Sequence, residues 1–111
     1  MIDKLLGIID NSEKGIVSIA EARGKFYNGI SIDGTHALVN AVYSSLANGE
    51  RNIDVIYIMS KTSDFNINNE VKAFIKKYLN EKTIFNLIND QGMKIYTYKE
   101  IIGENKWEVD L

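Results

Sequence analysis

The run NIDVIYIMS, residues 52–60, limits the possible folds of this 111-residue chain more than any other stretch. It is an almost uninterrupted series of β-branched and aromatic residues, which is typical of a strand buried on both faces. We therefore predict that residues 53–59 (IDVIYIM) form the central strand of a sheet with helices packed against it.

Apolar residues at helical spacing predict three helices around this strand. The clearest covers NNEVKAFIKKYLN, residues 68–80, and its pattern places Phe74 and Tyr78 on the core face. Its lysines lie on the outer face, where we expect them to be solvated. A second begins at the segment DGTH and ends near Gly49, and a short one covers Ile2 to Ile9. A further short helix is predicted over IFNLIND, residues 84–90, with Thr83 as its cap.

Alternating patterns predict the other strands. The segment IVSIAEA, residues 16–22, leads into a hairpin whose turn is either Arg23-Gly24 or Asn28-Gly29, and the sequence leaves this choice open. ISID, residues 30–33, is predicted as the strand that leads into the second helix, and MKIYTY, residues 93–98, as a further strand. The segment KEIIGENKWEVDL is either a helical turn followed by an extended end or another hairpin.

These elements predict an α/β or α+β class: one globular domain over residues 1–111, with a mixed sheet of about four strands. The pattern is not close enough to a known family to carry functional residues across. Thirteen basic and fifteen acidic residues give a net charge of −2, which argues against broad nucleic-acid binding. The apolar runs are too short to span a membrane. The chain has no cysteine, which excludes disulfides and thiolate ligands, and we expect a cytoplasmic location.

The only histidine, His36, lies in the segment DGTH. We predict that Asp33 or Thr35 caps the following helix and that His36 sits in its first turn, so replacing His36 by Asn should change stability little. A zinc site draws three or four ligands mostly from Cys and His, and no G-x-S-x-G motif accompanies a Ser-His-Asp set. We therefore predict no metal, no cofactor and no catalytic residue.

A ligand site is nevertheless possible at one edge of the sheet. If ISID and IDVIYIM are parallel neighbours, the loops after both strands leave the same edge, where open α/β sheets bind ligands. Lys99 and Glu100 would join this site only if MKIYTY is parallel too. The predicted ligand-binding residues are Asp33, Thr35, His36, Ser60, Lys61, Thr62, Ser63 and Asp64.

Because no catalytic motif is present, the sequence favours a function in protein binding over this ligand site. The most specific version is an inhibitor or immunity-type protein from a mobile element, which occludes a basic protein partner. Trp107 and Tyr27 are the predicted anchors, and the carboxylates of Glu104, Glu108 and Asp110 are the predicted rim. The sequence leaves the partner and the oligomeric state open.

Overall fold

The computed structural model describes residues 1–103. Within these residues the chain forms four helices and five strands of one α+β domain. In chain order they are α1 (Ile2–Ile9), β1 (Ile16–Ala22), β2 (Lys25–Ile30), α2 (Ala37–Ala47), β3 (Val55–Ser60), α3 (Asn69–Tyr78), β4 (Ile84–Asn89), β5 (Gly92–Tyr96) and α4 (Tyr98–Ile102).

The strands form one mixed sheet in the order β2-β1-β3-β4-β5. Strand β1 is antiparallel to both β2 and β3, β3 is parallel to β4, and β5 is antiparallel to β4. The predicted mixed sheet is therefore confirmed, and the predicted central strand is β3, the third of the five. A parallel pair needs a crossover, which α3 provides between β3 and β4.

The hairpin uses the first of the two possible turns. Arg23 and Gly24 connect β1 to β2 with φ angles of 54° and 76°, the pair of positive values that suits a tight hairpin. Asn28 and Gly29 lie inside β2 instead. Gly29 faces α2 so closely that a Cβ atom there would overlap the backbone of Ala37 and Ala41. Only glycine therefore allows α2 to lie this close to β2.

The prediction of a helix over IFNLIND is wrong, because residues 84–89 form strand β4. Phe85 and Leu87 are buried in the core beneath α2 and α3, while Ile88 packs in the separate cluster beneath α1. This division between the two faces follows the two-residue period of a strand. Thr83 caps no helix, and its buried hydroxyl donates to the carbonyl of Ile53 at 2.7 Å.

ISID does not form a strand next to β3, which was the condition set for the ligand site. Strand β2 ends at Ile30, and β1 lies between β2 and β3. Because β1 is antiparallel to both neighbours, β2 and β3 still run in the same direction. The loops that follow them therefore leave the same end of the sheet, as the site prediction required.

The two faces of the sheet are covered unequally. On one face, α2, α3 and α4 pack over a core that includes Ile56, Ile58 and Phe85. On the other face, α1 places Leu5 and Ile9 against the ends of β1 and β3. Beyond α1 this second face exposes Met93 and Ile95 of β5 to 54% and 64%. None of the helices in residues 1–103 has the length and apolar character needed to cross a bilayer.

Candidate functional site

A cleft lies at the end of the sheet where β2 and β3 finish. It has a volume of about 350 Å³ and opens between the first turns of α2 and α3. One wall comes from the loop that connects β2 to α2, and the other comes from the loop that connects β3 to α3. The lining residues are Glu13, Lys14, Ile16, Ser31, Ile32, Gly34, Thr35, His36, Val39, Asn66, Asn68, Glu70, Val71 and Phe74.

His36 connects the two walls of the cleft. Its Nδ1 accepts a hydrogen bond from the backbone N–H of Leu38 at 3.0 Å, so His36 itself is the N-cap of α2. Its Nε2 lies 2.7 Å from the carbonyl oxygen of Phe65 in the loop after β3. A carbonyl oxygen can only accept, so this geometry assigns the proton to Nε2 and makes the ring a neutral imidazole.

Burial lowers the pKa of His36 below its ordinary value of 6.5. The bond to the Phe65 carbonyl raises this pKa, and the nearby charge of Lys14 lowers it, but the loss of hydration has the largest effect. The ring is therefore neutral at neutral pH, with both nitrogen atoms held by backbone groups.

The predicted cap is thus wrong in detail. Asp33 and Gly34 form a tight turn with φ angles of 52° and 77°, in the left-handed region that Asp and Gly tolerate best. This turn brings Ile32 and Thr35 into mutual backbone hydrogen bonds of 3.2 Å and 2.9 Å. The turn lies ahead of the helix, so neither Asp33 nor Thr35 reaches the N–H groups of α2, and His36 occupies the capping position.

Hydrogen bonds within the loop itself also shape the second wall. The Asp64 carboxylate accepts from the N–H of Asn66 at 2.8 Å, and Asn66 takes a positive φ of 54°. The Asn68 side chain accepts from the N–H of Val71 at 3.0 Å and so caps α3. The buried Ser60 hydroxyl donates to the carbonyl of Asp64 at 2.9 Å. These bonds fix the loop, and of the cleft-lining side chains in it they use that of Asn68 and leave the Asn66 side chain without a partner in the described part of the chain.

Only some of the predicted ligand-binding residues line this cleft. Thr35 and His36 do, together with Gly34 between them, but Asp33 does not. Ser60, Thr62 and Asp64 are used in hydrogen bonds within their own loop. Lys61 binds the Asp10 carboxylate at 2.7 Å, and Ser63 lines a different groove. Lys99 and Glu100 do not join the site, because β5 is antiparallel to β4 and ends at the opposite end of the sheet.

Helix α3 contributes to the cleft, which its sequence pattern did not predict. The pattern placed Phe74 and Tyr78 on the core face of this helix, but both are only half-buried. The Phe74 ring lies 5.2 Å from that of Tyr43 and 4.7 Å from that of Tyr78, and Tyr43 is half exposed. Phe74 therefore presents an aromatic wall at the cleft and continues into an aromatic cluster at the surface. One sequence signal was available: Asn68 is a typical N-cap residue, and it marks where the first turn of α3 begins at the cleft.

Of the residues predicted to bind a partner, Tyr27 lies in the part of the chain that the structure describes. Tyr27 is half-buried, and its hydroxyl donates to the Glu50 carboxylate at 2.5 Å. This bond ties Tyr27 into the structure, so it is a poor candidate for an exposed anchor. Trp107, Glu104, Glu108 and Asp110 lie outside the residues that the structure describes.

Comparisons with known proteins place the fold but not the function. No protein-family model matches the sequence, and no curated protein matches it. Among solved structures, the chain is similar to a cytidine deaminase from Mycobacterium leprae with a TM-score of 0.59 and 11% sequence identity. The similarity covers 89% of this chain and 91% of the deaminase. At this identity the likeness establishes a shared fold and nothing about activity.

The residues of this chain do not fit the zinc site of a nucleobase deaminase. Zinc-dependent deaminases carry an H-x-E segment, whose Glu moves protons, and a P-C-x-x-C segment that supplies metal ligands. Here His36 and Ala37 are followed by Leu38, which is fully buried, and the chain contains neither cysteine nor proline. Within residues 1–103, no group of three or more His, Cys, Asp or Glu residues could hold a metal. Hydrolysis at a bound zinc is therefore not a reaction that these residues support.

Proposed function

We propose that the cleft binds a small uncharged molecule of nucleoside type and that the protein acts by binding it, without zinc-dependent deamination. The observation that supports this proposal is the neutral His36, held between backbone groups beside the apolar wall of Val39 and Phe74. A volume of about 350 Å³ lies within the range of small-molecule pockets, roughly 300 to 1,000 Å³.

The polar groups of the cleft suit a ligand with both donors and acceptors. Thr35, Asn66 and Glu70 line the cleft, and within residues 1–103 their side chains make no hydrogen bond to the protein. A planar base can stack on the Phe74 ring, because every nucleobase has a flat aromatic face that can pack against it. The name of the structural neighbour, a cytidine deaminase, adds support for a nucleoside.

The charge of the cleft favours a nucleoside over a nucleotide. Two carboxylates, Glu13 and Glu70, and one ammonium group, Lys14, line it, and His36 is neutral. An additional phosphate would meet a net negative lining and would be repelled. We therefore expect nucleosides to bind more tightly than their 5′-monophosphates.

Titration of the full chain with nucleosides, followed by calorimetry and by backbone amide NMR shifts, tests this proposal. Loss of a base–aromatic stack costs about 1 to 3 kcal/mol, so Phe74→Leu should weaken binding at least about five-fold. Tyr78→Leu is the matched control, because Tyr78 belongs to the same aromatic cluster and does not line the cleft. Equal loss in both variants, tighter binding of the monophosphates, or conversion of cytidine to uridine would contradict the proposal.

Protein binding is the second candidate function, in the form of an inhibitor or immunity-type protein that occludes a basic partner. The apolar surface formed by β5 and the start of α1 supports it, since Ile2, Met93 and Ile95 expose 47% to 64% of their surface. The net charge of −2 suits a basic partner, and the absence of cysteine suits a cytoplasmic setting. Affinity capture with wild-type protein and with an Ile95→Ser variant tests it. Capture of the same basic protein equally by both would contradict a role for this surface.

A further inference from the structure

A second opening runs along the edge strand β5, on the face of the sheet that α4 covers. We call it the β5 groove. It has a volume of about 450 Å³, and its apolar floor is formed by Phe65, Leu87 and Tyr96. Of the side chains that line it within residues 1–103, Lys94 alone carries a charge. The groove is thus apolar at its floor and basic at its rim.

The chain leaves the described structure at the end of α4, on the same face of the sheet as this groove. Helix α4 follows β5 directly and buries Ile101 and Ile102 in the same core cluster as Leu87, against which Phe65 and Tyr96 pack. Gly103 is buried and ends α4 in a left-handed conformation, with φ at 79°. Eight residues follow it, and an extended chain spans roughly 3.3 Å per residue, or about 26 Å in total.

The sequence of residues 104–111, ENKWEVDL, complements the β5 groove. Trp107, Val109 and Leu111 alternate with charged residues, so an extended segment can place all three on one side. The carboxylates of Glu104, Glu108 and Asp110 outnumber the ammonium group of Lys106, which gives the segment a net charge of −2. This charge matches Lys94 at the rim.

The other openings suit this segment less well. The cleft beside His36 is lined by Glu13 and Glu70 against one Lys14, so it repels an acidic segment. The opening beneath α1, lined by Met1, Tyr57 and Asn86, includes the carboxylate of Asp3. It also lies on the sheet face opposite to α4. Charge therefore disfavours both of these openings, and position also disfavours the one beneath α1, so the β5 groove fits the segment better than either.

We propose that residues 104–111 bind back onto the β5 groove of their own chain, with Trp107 against its apolar floor and the acidic residues beside Lys94. Burial of a large aromatic side chain supplies the driving force, and the charge pairing sets the direction of the segment. In this arrangement the segment covers the edge strand β5, which otherwise presents unpaired backbone groups to other chains.

Fluorescence of the full-length protein tests the proposal directly, because Trp107 is the only tryptophan. We expect emission at shorter wavelength, and acrylamide quenching several-fold weaker, than in the same protein unfolded by urea. Lys94→Glu should shift both values toward those of the unfolded chain. Lys4→Glu is the matched control, since it makes the same change in charge on α1, across the sheet from the groove, and should leave both values unchanged.

A second measurement locates the contact. Backbone amide NMR spectra of wild-type protein and the full-length Trp107→Ala variant should differ around Leu87, Lys94 and Tyr96 and agree around His36. Three outcomes would overturn the proposal: quenching as strong as in urea, shift changes confined to the cleft or to α1, or quenching that depends on protein concentration. The last would indicate that the segment binds another molecule.

Discussion

The two ends of the sheet use polar side chains in different ways. At the end where β2 and β3 finish, His36 and Asn68 bond to backbone groups and leave an open cleft between their helices. At the opposite end, the buried carboxylate of Glu50 accepts from two other side chains, Nε of Arg23 at 2.8 Å and the hydroxyl of Tyr27 at 2.5 Å. We call the end with the cleft beside His36 and Asn68 the open end, and the end with the bonds of Glu50 the closed end.

The two kinds of hydrogen bond, to the backbone and between side chains, have different effects on the structure. Bonds to the backbone fix the course of a loop and leave its remaining side chains free to meet a ligand. Bonds between side chains join separate elements, and here Glu50 joins the β1–β2 hairpin to the loop between α2 and β3. The Asp54 carboxylate adds to this connection by accepting from the N–H of Arg23 at 3.1 Å. We therefore expect the closed end to contribute to stability and the open end to contribute to binding.

Gly29→Ala should have the largest effect, because it disturbs both ends together. The new Cβ atom would overlap the backbone of Ala37 and Ala41, and α2, which carries His36 at its start, would have to move away from β2. Overpacking against the backbone should lower the free energy of unfolding, measured in urea, by about 3 kcal/mol, the upper end of the usual range for overpacking.

Gly7→Ala is the control for this substitution. Gly7 lies in α1, and beyond its own helix no atom comes within 4 Å of the place that a Cβ atom would take. Alanine should therefore raise stability by about 0.5 to 1 kcal/mol through helix propensity. A Gly29→Ala protein as stable as the wild type would show that α2 does not lie this close to β2.

Glu50→Gln should have the next largest effect and should act at the closed end alone. The amide replaces one acceptor oxygen by a donor, so Arg23 and Tyr27 cannot both keep their bonds. Their hydrogen bonds hold the pKa of Glu50 below its ordinary value of 4.5. A lowered pKa stabilises the folded state fully above about pH 4.5, and this contribution is lost as the pH falls below that value.

Thermal unfolding at pH 7 and pH 3.5 measures this contribution. The Tm of Glu50→Gln should lie well below that of the wild type at pH 7, and the gap should narrow at pH 3.5. Asp10→Asn, which removes the exposed pair with Lys61, should change Tm much less, because both partners are more than half exposed. A larger effect from Asp10 than from Glu50 would contradict the comparison between the two ends.

His36→Asn should have the smallest effect on stability and should act at the open end. Asparagine is a good N-cap, so the bond to the N–H of Leu38 can be kept, but the bond to the Phe65 carbonyl is lost. One such bond contributes about 1 kcal/mol, which is more than the sequence alone indicated.

The pH dependence of the open end gives a sharper test. Because the pKa of His36 is lowered, the unfolded chain binds the proton more readily than the folded one. The free energy of unfolding should therefore be constant above about pH 6.5 and fall below it. In His36→Asn this decline should be absent between pH 6.5 and pH 5. A decline of equal size in the variant would assign it to another group.

The sequence predicted correctly the elements with long apolar patterns. The prediction was wrong for a short run whose apolar residues fit both the helical and the strand period. The β3 run and the amphipathic α3 each have one clear reading, and both are confirmed. The six residues of β4 are too short for periodicity to separate strand from helix, and their place beside β3 depends on tertiary packing. The insertion of β1 between β2 and β3 is likewise a property of the whole sheet.

The candidate site was predictable to a similar extent. Thr35 and His36 were found because they follow a strand and precede a helix, which is a local pattern. Phe74 was assigned to the core, because a helical stripe shows which residues share a face but does not show where the edge of that face emerges. Neither the capping role of His36 nor its bond to Phe65 is visible in sequence, since the two residues are 29 positions apart.

The close approach at Gly29 marks a position at which chains of this fold can be compared. The chain and the deaminase of similar fold share 11% of their residues, so sequence comparison gives little guidance on which positions are equivalent. Position 29 is constrained by geometry instead, because the backbone of α2 occupies the space of a side chain. Chains that keep this distance between strand and helix must keep a glycine there, whatever they bind. When two chains of this fold are aligned, that glycine can be matched first, and the residues of the cleft can then be located by their distance from it along the chain.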